Sequence, residues 1–361
     1  MTDRTPFVAR LAARLLIFSV GWFGLGWPVA QAELADVLDR PSLQTPRAAT
    51  RTLLAVARAD QRLVVVGERG IVLFSDDDGA TWKQASVPVS VTLTNLHFIG
   101  REKGWAVGHS GVVLHTSDGG KNWIKQLDGI TAAQIMLDAA RQRGGPELAE
   151  AEALVADGPD KPFLDVWFRD ASHGFVVGAY GLAFATDDGG KTWQPWSSRL
   201  PNPMGKHLYR ICWRGDELWI AGEQGALFRS LDGGGSFVEV ESPYEGTFFG
   251  AVAGDAGEIV AYGLRGNIFQ SPDGLTWSKV ANQAEASVSD GLRLADGTLI
   301  LVDEAGRTLH SADGGRTFRP LPELQPWPVT GVAQAPDGHL ILIGVRGVTR
   351  AAPVASTRAN P

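Results

Sequence analysis

From residue 63 onward, apolar and polar positions recur as copies of one layout. The stretches LVVVGERGIVLFSDDDGATWK (63–83), GWAVGHSGVVLHTSDGGKNWI (104–124) and GFVVGAYGLAFATDDGGKTWQ (174–194) share it, and it returns at 218–238, 259–278 and 299–319. Each copy reads as an apolar strand, a Gly-x-x-Gly turn, a second strand, an acidic Gly-rich turn and an aromatic residue. A seventh copy at 339–349 keeps the first strand and the turn but lacks the acidic box. The turns open at Gly67, Gly108, Gly178, Gly222, Gly263, Asp303 and Gly344, spaced 40 to 44 residues apart except for a gap of 70 after Gly108. A unit of this length has room for four short strands and cannot bury both faces of its own sheet, so the units stack radially. The pattern predicts an all-β, seven-bladed β-propeller over residues 33–350.

An open ring would expose two sheet edges. The segment 34–38 (LADVL), followed by Pro41, has the form of the fourth strand at 237–240, which is followed by Pro243. It is predicted to complete the last blade, leaving 351–361 as a disordered tail. The long gap holds an insertion at 128–161 with two Ala/Leu/Glu-rich stretches of helical character, 132–143 and 147–156, around Gly144-Gly145-Pro146. It falls between the fourth strand of one blade and the first strand of the next. That position puts the helical pair on the face of the Gly-x-x-Gly turns, either as decoration or as part of a partner surface.

The acidic boxes centre on Asp77, Asp118, Asp188, Asp232, Asp273 and Asp313, in the form Ser75-x-Asp77-x-Gly79-x-Thr81-Trp82. Their chemistry is local. The carboxylate accepts backbone N–H groups across the turn, glycine supplies positive φ, and the ring packs into the blade. Six copies of one catalytic aspartate would serve no mechanism. The run Gly189-Gly190-Lys191-Thr192 imitates a phosphate loop but joins two strands, and Asp76-Asp77-Asp78-Gly79 lacks the ligand spacing of a calcium loop. No metal or cofactor is expected.

Composition narrows the function classes. Among 361 residues, 33 Lys and Arg against 40 Asp and Glu give a net charge of −7, which argues against a nucleic-acid partner. Arg4, Arg10 and Arg14 precede an apolar run at 15–27, and Ala30-Gln31-Ala32 offers a cleavage site. Residues 1–32 therefore read as a secretory signal peptide, and the mature protein is expected to be exported or periplasmic, monomeric, and without a span of its own. The single Cys212 excludes an intramolecular disulfide and sits in an apolar strand.

Repeats such as Val66-Gly67-Glu68-Arg69-Gly70 and Val107-Gly108-His109-Ser110-Gly111, with the strand openings Gly104-Trp105 and Gly174-Phe175, resemble the photosystem II stability and assembly factor family. Sialidases, xyloglucan hydrolases and sortilin-type receptors are other Asp-box propellers. The resemblance implies a non-enzymatic assembly chaperone or scaffold that binds a protein partner, a membrane complex or transporter, and similar proteins occur in non-phototrophic bacteria. A basic patch is associated with function in that family. Here Arg69, Arg265 and Arg346 hold the third position of their turns, while Ser110, Tyr180 and Gln224 depart from it.

Candidate partner-binding residues on that face are Arg69, Arg265, Arg346, Tyr180, Tyr244, Phe248 and Trp327, with Met204 and His207 nearby, since arginine and large aromatics dominate binding hot spots. The rival class is a glycan-binding protein or a sialidase-like glycosidase. For that class Asp165, Asp303 and Glu304 are the available carboxylates, and Tyr209-Arg210-Ile211-Cys212 is a near miss to an Arg-Ile-Pro motif. No catalytic constellation is evident, so no catalytic residue is assigned.

Overall fold

A computed structural model of the protein describes residues 36–145, 147–281, 285–322 and 325–354. The segment read as a leader, residues 34–35 of the proposed closing strand, and residues 355–361 lie outside these. The described chain forms seven antiparallel sheets of consecutive strands, six with four strands and the last with three. The first blade runs Leu53–Ala59, Arg62–Gly67, Val72–Ser75 and Lys83–Gln84, from the axis outward. The inner strands of the other blades are Leu93–Ile99, Phe163–Phe168, Leu208–Arg214, Phe248–Ala253, Val288–Arg293 and Val329–Gln334. The core lies between neighbouring sheets. In one such layer Leu53, Leu63, Val65 and Leu73 of the first blade pack on Ala333, Ile341 and Ile343 of the last.

Each acidic box locks one corner of a sheet. The Ser75 hydroxyl donates to Asp77 Oδ1 (2.7 Å) and accepts the Gly79 N–H (2.9 Å), while Asp77 accepts the Thr81 N–H (2.8 Å) and hydroxyl (2.5 Å). The bonds from the turn to the carboxylate recur at Asp118, Asp188, Asp232, Asp273 and Asp313. The donors of Thr81, then Ser75, hold the Asp77 carboxyl at a pKa of about 2. All these donors lie within the turn itself.

Among the described residues, 36–38 add no strand to the last blade. In the last blade, Val329–Gln334, Leu340–Gly344 and Gly347–Ala351 are the only strands among the described residues. Residues 36–45 run along the outer edge of the first blade instead. The Ser90 N–H donates to the Val37 carbonyl (2.8 Å), Ser42 N–H to Val87 (3.0 Å) and Gln44 Nε2 to Ala85 (3.0 Å). Leu38 explains the difference: it is 2% exposed, in a slot formed with Val87, Val89 and Val91.

Closure comes from side-by-side packing of the first and last blades and from the Thr330 hydroxyl on the Leu53 carbonyl (2.7 Å). The Thr94 hydroxyl on Phe163 and the Ser289 hydroxyl on Val329 make the same bond at two other blade junctions. Of the residues expected to be a tail, Ala351 ends a strand and Val354 packs against the last blade's core, so both belong to the ring.

The insertion forms α1 (Gly129–Arg143) and α2 (Glu147–Asp157). α1 begins three residues before its apolar pattern does, since the Asp128 carboxylate caps it by accepting the Thr131 N–H at 3.0 Å. Leu137 and Ala140 of α1 pack against Ala151 of α2. The pair sits on the Gly-x-x-Gly side, where a Cβ on Gly111 would come within 2.6 Å of the Gly129 Cα. Among the described residues no helix is long and apolar enough to cross a membrane.

Candidate protein-binding face

Five of the Gly-x-x-Gly turns share one construction. The Gly67 N–H donates to the Ile71 carbonyl (2.9 Å) and the Glu68 N–H to Thr52 (3.1 Å), and Gly108, Gly178, Gly222 and Gly263 repeat the first bond. A Cβ on Gly67 would lie 2.2 Å from the Thr52 oxygen, so this approach requires glycine. The residue before the second glycine is left-handed, with φ of 53° at Arg69, 57° at Ser110, 56° at Tyr180, 54° at Gln224 and 55° at Arg265. Arg69, Tyr180 and Arg265 are thereby presented to solvent, Tyr180 with 62% of its surface exposed. In the sixth blade Asp303 replaces the first glycine. Its carboxylate accepts the Ala305 and Arg307 N–H groups (both 2.9 Å) and Arg307 Nε (2.8 Å), so it is fully committed to the turn. Glu304 beside it is exposed.

Arg69 and Arg346 occupy the turns of the first and last blades, which adjoin. Between them lies the single helical turn Ala48–Thr50, flanked by Arg47 and Arg51. A Cβ on Gly347 would meet the Ala49 oxygen at 2.0 Å, which shows how closely this segment lies against the last blade. All four arginines are exposed, and among the described residues none is in an ion pair. Arg346 rests over the Trp327 ring at 5.3 Å. An acidic chain thus carries four uncompensated cations at one blade junction. Arg265 stands apart on the fifth blade.

Two of the aromatic candidates have other roles. Phe248 is fully buried in a core cluster with Phe269 and Leu227, because its position opens an inner strand and its ring turns into the layer between blades. It is not available to a partner. Tyr244 is half-buried, and its hydroxyl donates to the Leu264 carbonyl at 3.1 Å, pinning the fifth blade's turn. Tyr180 stays free on its outer side, with the Lys161 ammonium 5.3 Å from its ring and His207 edge-on at 4.8 Å. Met204 nearby is 77% exposed. A groove of about 960 Å³ lies between α1, α2 and the third blade's outer loop.

The axis carries a second polar constellation. Each inner strand shifts register at its third residue, and in ring order these residues are Ala55, Asn95, Asp165, Arg210, Gly250, Asp290 and Gly331. Asp165 accepts Asn95 Nδ2 (2.6 Å) and the Ile211 (2.6 Å) and Val166 (2.8 Å) N–H groups. Asp290 accepts the Val332 N–H (3.0 Å) and pairs with Arg210 across the channel. Burial raises the Asp165 pKa to about 6, against the opposing pull of Arg210 and of its backbone donors.

Around this ring is a channel of about 370 Å³, with His97 and Trp213 further along the wall. Lost hydration lowers the His97 pKa to about 4, and its Nδ1 accepts the Phe168 N–H (3.1 Å), which places the ring proton on Nε2. Burial pushes the Cys212 thiol up to about 12. Asp165 and Asp303 do not converge: one is bonded within the channel ring, the other within a turn.

The chain matches the family model described as "Photosynthesis system II assembly factor YCF48" over residues 42–131 and 153–339. The gap between the two matched stretches contains most of α1 and the first half of α2. It is similar to the photosystem II assembly lipoprotein Ycf48 of Synechococcus sp. (strain CC9902), 30% identical over 186 residues, which is 50% of this chain and 55% of that one. Similarity extends to the chloroplastic photosystem II stability/assembly factor HCF136 of Oryza sativa subsp. japonica, 26% identical over 58% of this chain and 47% of that one. The chain spans about half the length of these curated relatives. Among solved structures, YCF48 bound to a D1 peptide superposes with a TM-score of 0.62 at 17% identity, over 88% of this chain and 100% of that one, a likeness of fold.

Proposed function

The chain belongs to the photosynthesis system II assembly factor YCF48 family, and from that premise we propose that it is a non-enzymatic assembly or stability factor. In this reading it binds a segment of a membrane-complex subunit on its Gly-x-x-Gly face and works outside the cytoplasm. The observation that carries the proposal is the group Arg47, Arg51, Arg69 and Arg346, exposed and without acidic partners among the described residues of an acidic protein. Four such cations at one junction recognise carboxylates, so the segment bound there is acidic or ends in a free carboxylate. That a relative of the same fold was solved with a peptide supports this reading. The lipoprotein naming of the Synechococcus relative supports a place at a membrane surface.

The test is chemical cross-linking of the tagged protein in its native envelope, followed by affinity capture and mass spectrometry. A dominant membrane-complex subunit, cross-linked on the arginine face and lost in the Arg69→Glu/Arg346→Glu double variant, is the expected result. The same subunit captured equally by the variant would reject this face.

A further inference from the structure

The groove beside α2 has a chemistry opposite to that of the arginine cluster. Its floor is apolar, built from Met136, Leu154, Leu182, Leu200 and the prolines 201 and 203. Its rim carries the exposed Tyr180. The wall supplied by α2 holds three carboxylates, Glu147, Glu150 and Asp157, and no cation. The two cations that line the groove are already paired with its acids: Arg143 with Glu147 (2.9 Å) and Lys161 with Asp157 (3.1 Å). Glu150, also lining it, is exposed and in no ion pair among the described residues. A void of about 960 Å³ is large enough for several side chains of an extended peptide. Six of its twenty lining residues, Met136, Ala140, Arg143, Glu147, Glu150 and Ala151, fall within 132–152, which the family match passes over, so this side of the groove is an addition of this chain to the shared ring.

We propose that this groove is a second docking site, which takes an extended partner segment carrying apolar side chains next to a lysine or arginine. The apolar side chains cover Leu154, Leu182 and Leu200, and the cation meets Glu150. The proposal rests on the reading that the chain binds protein, but not on the arginine cluster, whose ligand has the opposite charge.

A phage-displayed library of random 12-residue peptides, panned against the whole protein, tests it. The expected outcome is enrichment of sequences with two or more large apolar residues beside Lys or Arg. Synthetic copies of these should bind at least tenfold more weakly to Leu154→Arg, which fills the floor, and to Glu150→Lys, which reverses the wall. Glu150 is exposed, so the second variant keeps the test informative if the first disturbs the helices. Binding to Arg69→Glu/Arg346→Glu should be unchanged, which separates this site from the arginine face. Enriched peptides of acidic character, affinity for both groove variants equal to that for wild type, or no enrichment would each overturn the proposal.

Discussion

Arg210 on the fourth blade reaches across the channel to the carboxylate of Asp290 on the sixth, tying together two blades that do not adjoin. Asp290 also accepts the Val332 N–H of the seventh blade, so one carboxylate serves three blades. Burial works against the Arg210 charge, but Asp290, with Tyr262 and Asp165, outweighs it and holds the pKa above its ordinary value. Removing Asp290 by Asp290→Ala strands this cation and should cost about 3 kcal/mol in urea denaturation. Arg210→Met, which leaves the backbone donors on Asp290 in place, should cost less. Equal losses would mean that the pair itself carries little of the cost.

Asp165 makes stability depend on pH in a defined direction. Its folded pKa, about 6, lies above the ordinary carboxylate value of 3.8, so between these values the folded state binds more protons than the unfolded state. This group's contribution is therefore most favourable below pH 4 and is lost as pH rises through 6. Raising the pKa from 3.8 to about 6 is worth at most about 3 kcal/mol. Arg210 and Asp290 face it in the channel, and His97 titrates with the opposite sign, since its pKa falls to about 4. The comparison that isolates Asp165 is Asp165→Asn against wild type at pH 4 and pH 8. The variant should gain about 2–3 kcal/mol relative to wild type between the two. A difference independent of pH would show that Asp165 is not raised.

In the box of the fourth blade the Ser230 hydroxyl donates to Asp232 at 2.7 Å and accepts the buried Gly234 N–H at 2.9 Å. Ser230→Ala leaves that N–H without a partner and should cost about 1–2 kcal/mol. Ser230→Thr should recover most of it, because threonine fills the same position at Thr116 and Thr186. Thermal unfolding of the pair is the measurement.

Phe248 and the arginines should separate cleanly. Phe248→Ala empties a fully buried site and should destabilise the fold by about 3–5 kcal/mol. Arg69→Gly removes a charge from a left-handed position with φ of 53° and should leave stability within about 1 kcal/mol of wild type while weakening partner capture. Circular dichroism melts and envelope capture, run on both variants, read the two effects apart.

The propeller was legible because its turns need particular residues. Gly67, Gly108, Gly178, Gly222, Gly263 and Gly344 leave no room for a Cβ, and five of the six acid boxes hold Ser or Thr, Asp and Gly at the same offsets, the box at Asp273 being one residue shorter. Outside the repeat the two helices of the insertion were legible from their Ala/Leu/Glu pattern, but other features were not. The segment 34–38 has a strand-like pattern, but Leu38 is held by Val87, Val89 and Val91, residues whose proximity no local spacing reveals. Arg47 and Arg51 precede the first repeat and share no motif with Arg69; only the packing of Gly347 against Ala49 brings the last blade's turn to them. Phe248 looked available because it follows a loop, yet it occupies the same buried strand-opening position as Leu53, Leu93, Phe163 and Leu208. Alignment of the repeats did hold one unused signal. Asn95, Asp165, Arg210 and Asp290 share the third place of the inner strand, where polar residues in an apolar run point to a common destination at the axis.

The acid boxes also bear on the order in which the molecule assembles. Their bonds join residues at most four apart, as Thr81 to Asp77 and Ser236 to Asp232 do. The channel contacts Asn95–Asp165 and Arg210–Asp290 span 70 and 80 residues, and the bond from Thr330 to Leu53 spans 277. Closing a short loop costs little chain entropy and closing a long one costs more, so each corner can set as soon as its own residues are present. The axial network has to wait for blades far along the chain, and the final seam for nearly all of it. The corners would thus set first and the arginine face at the seam would be the last surface to exist.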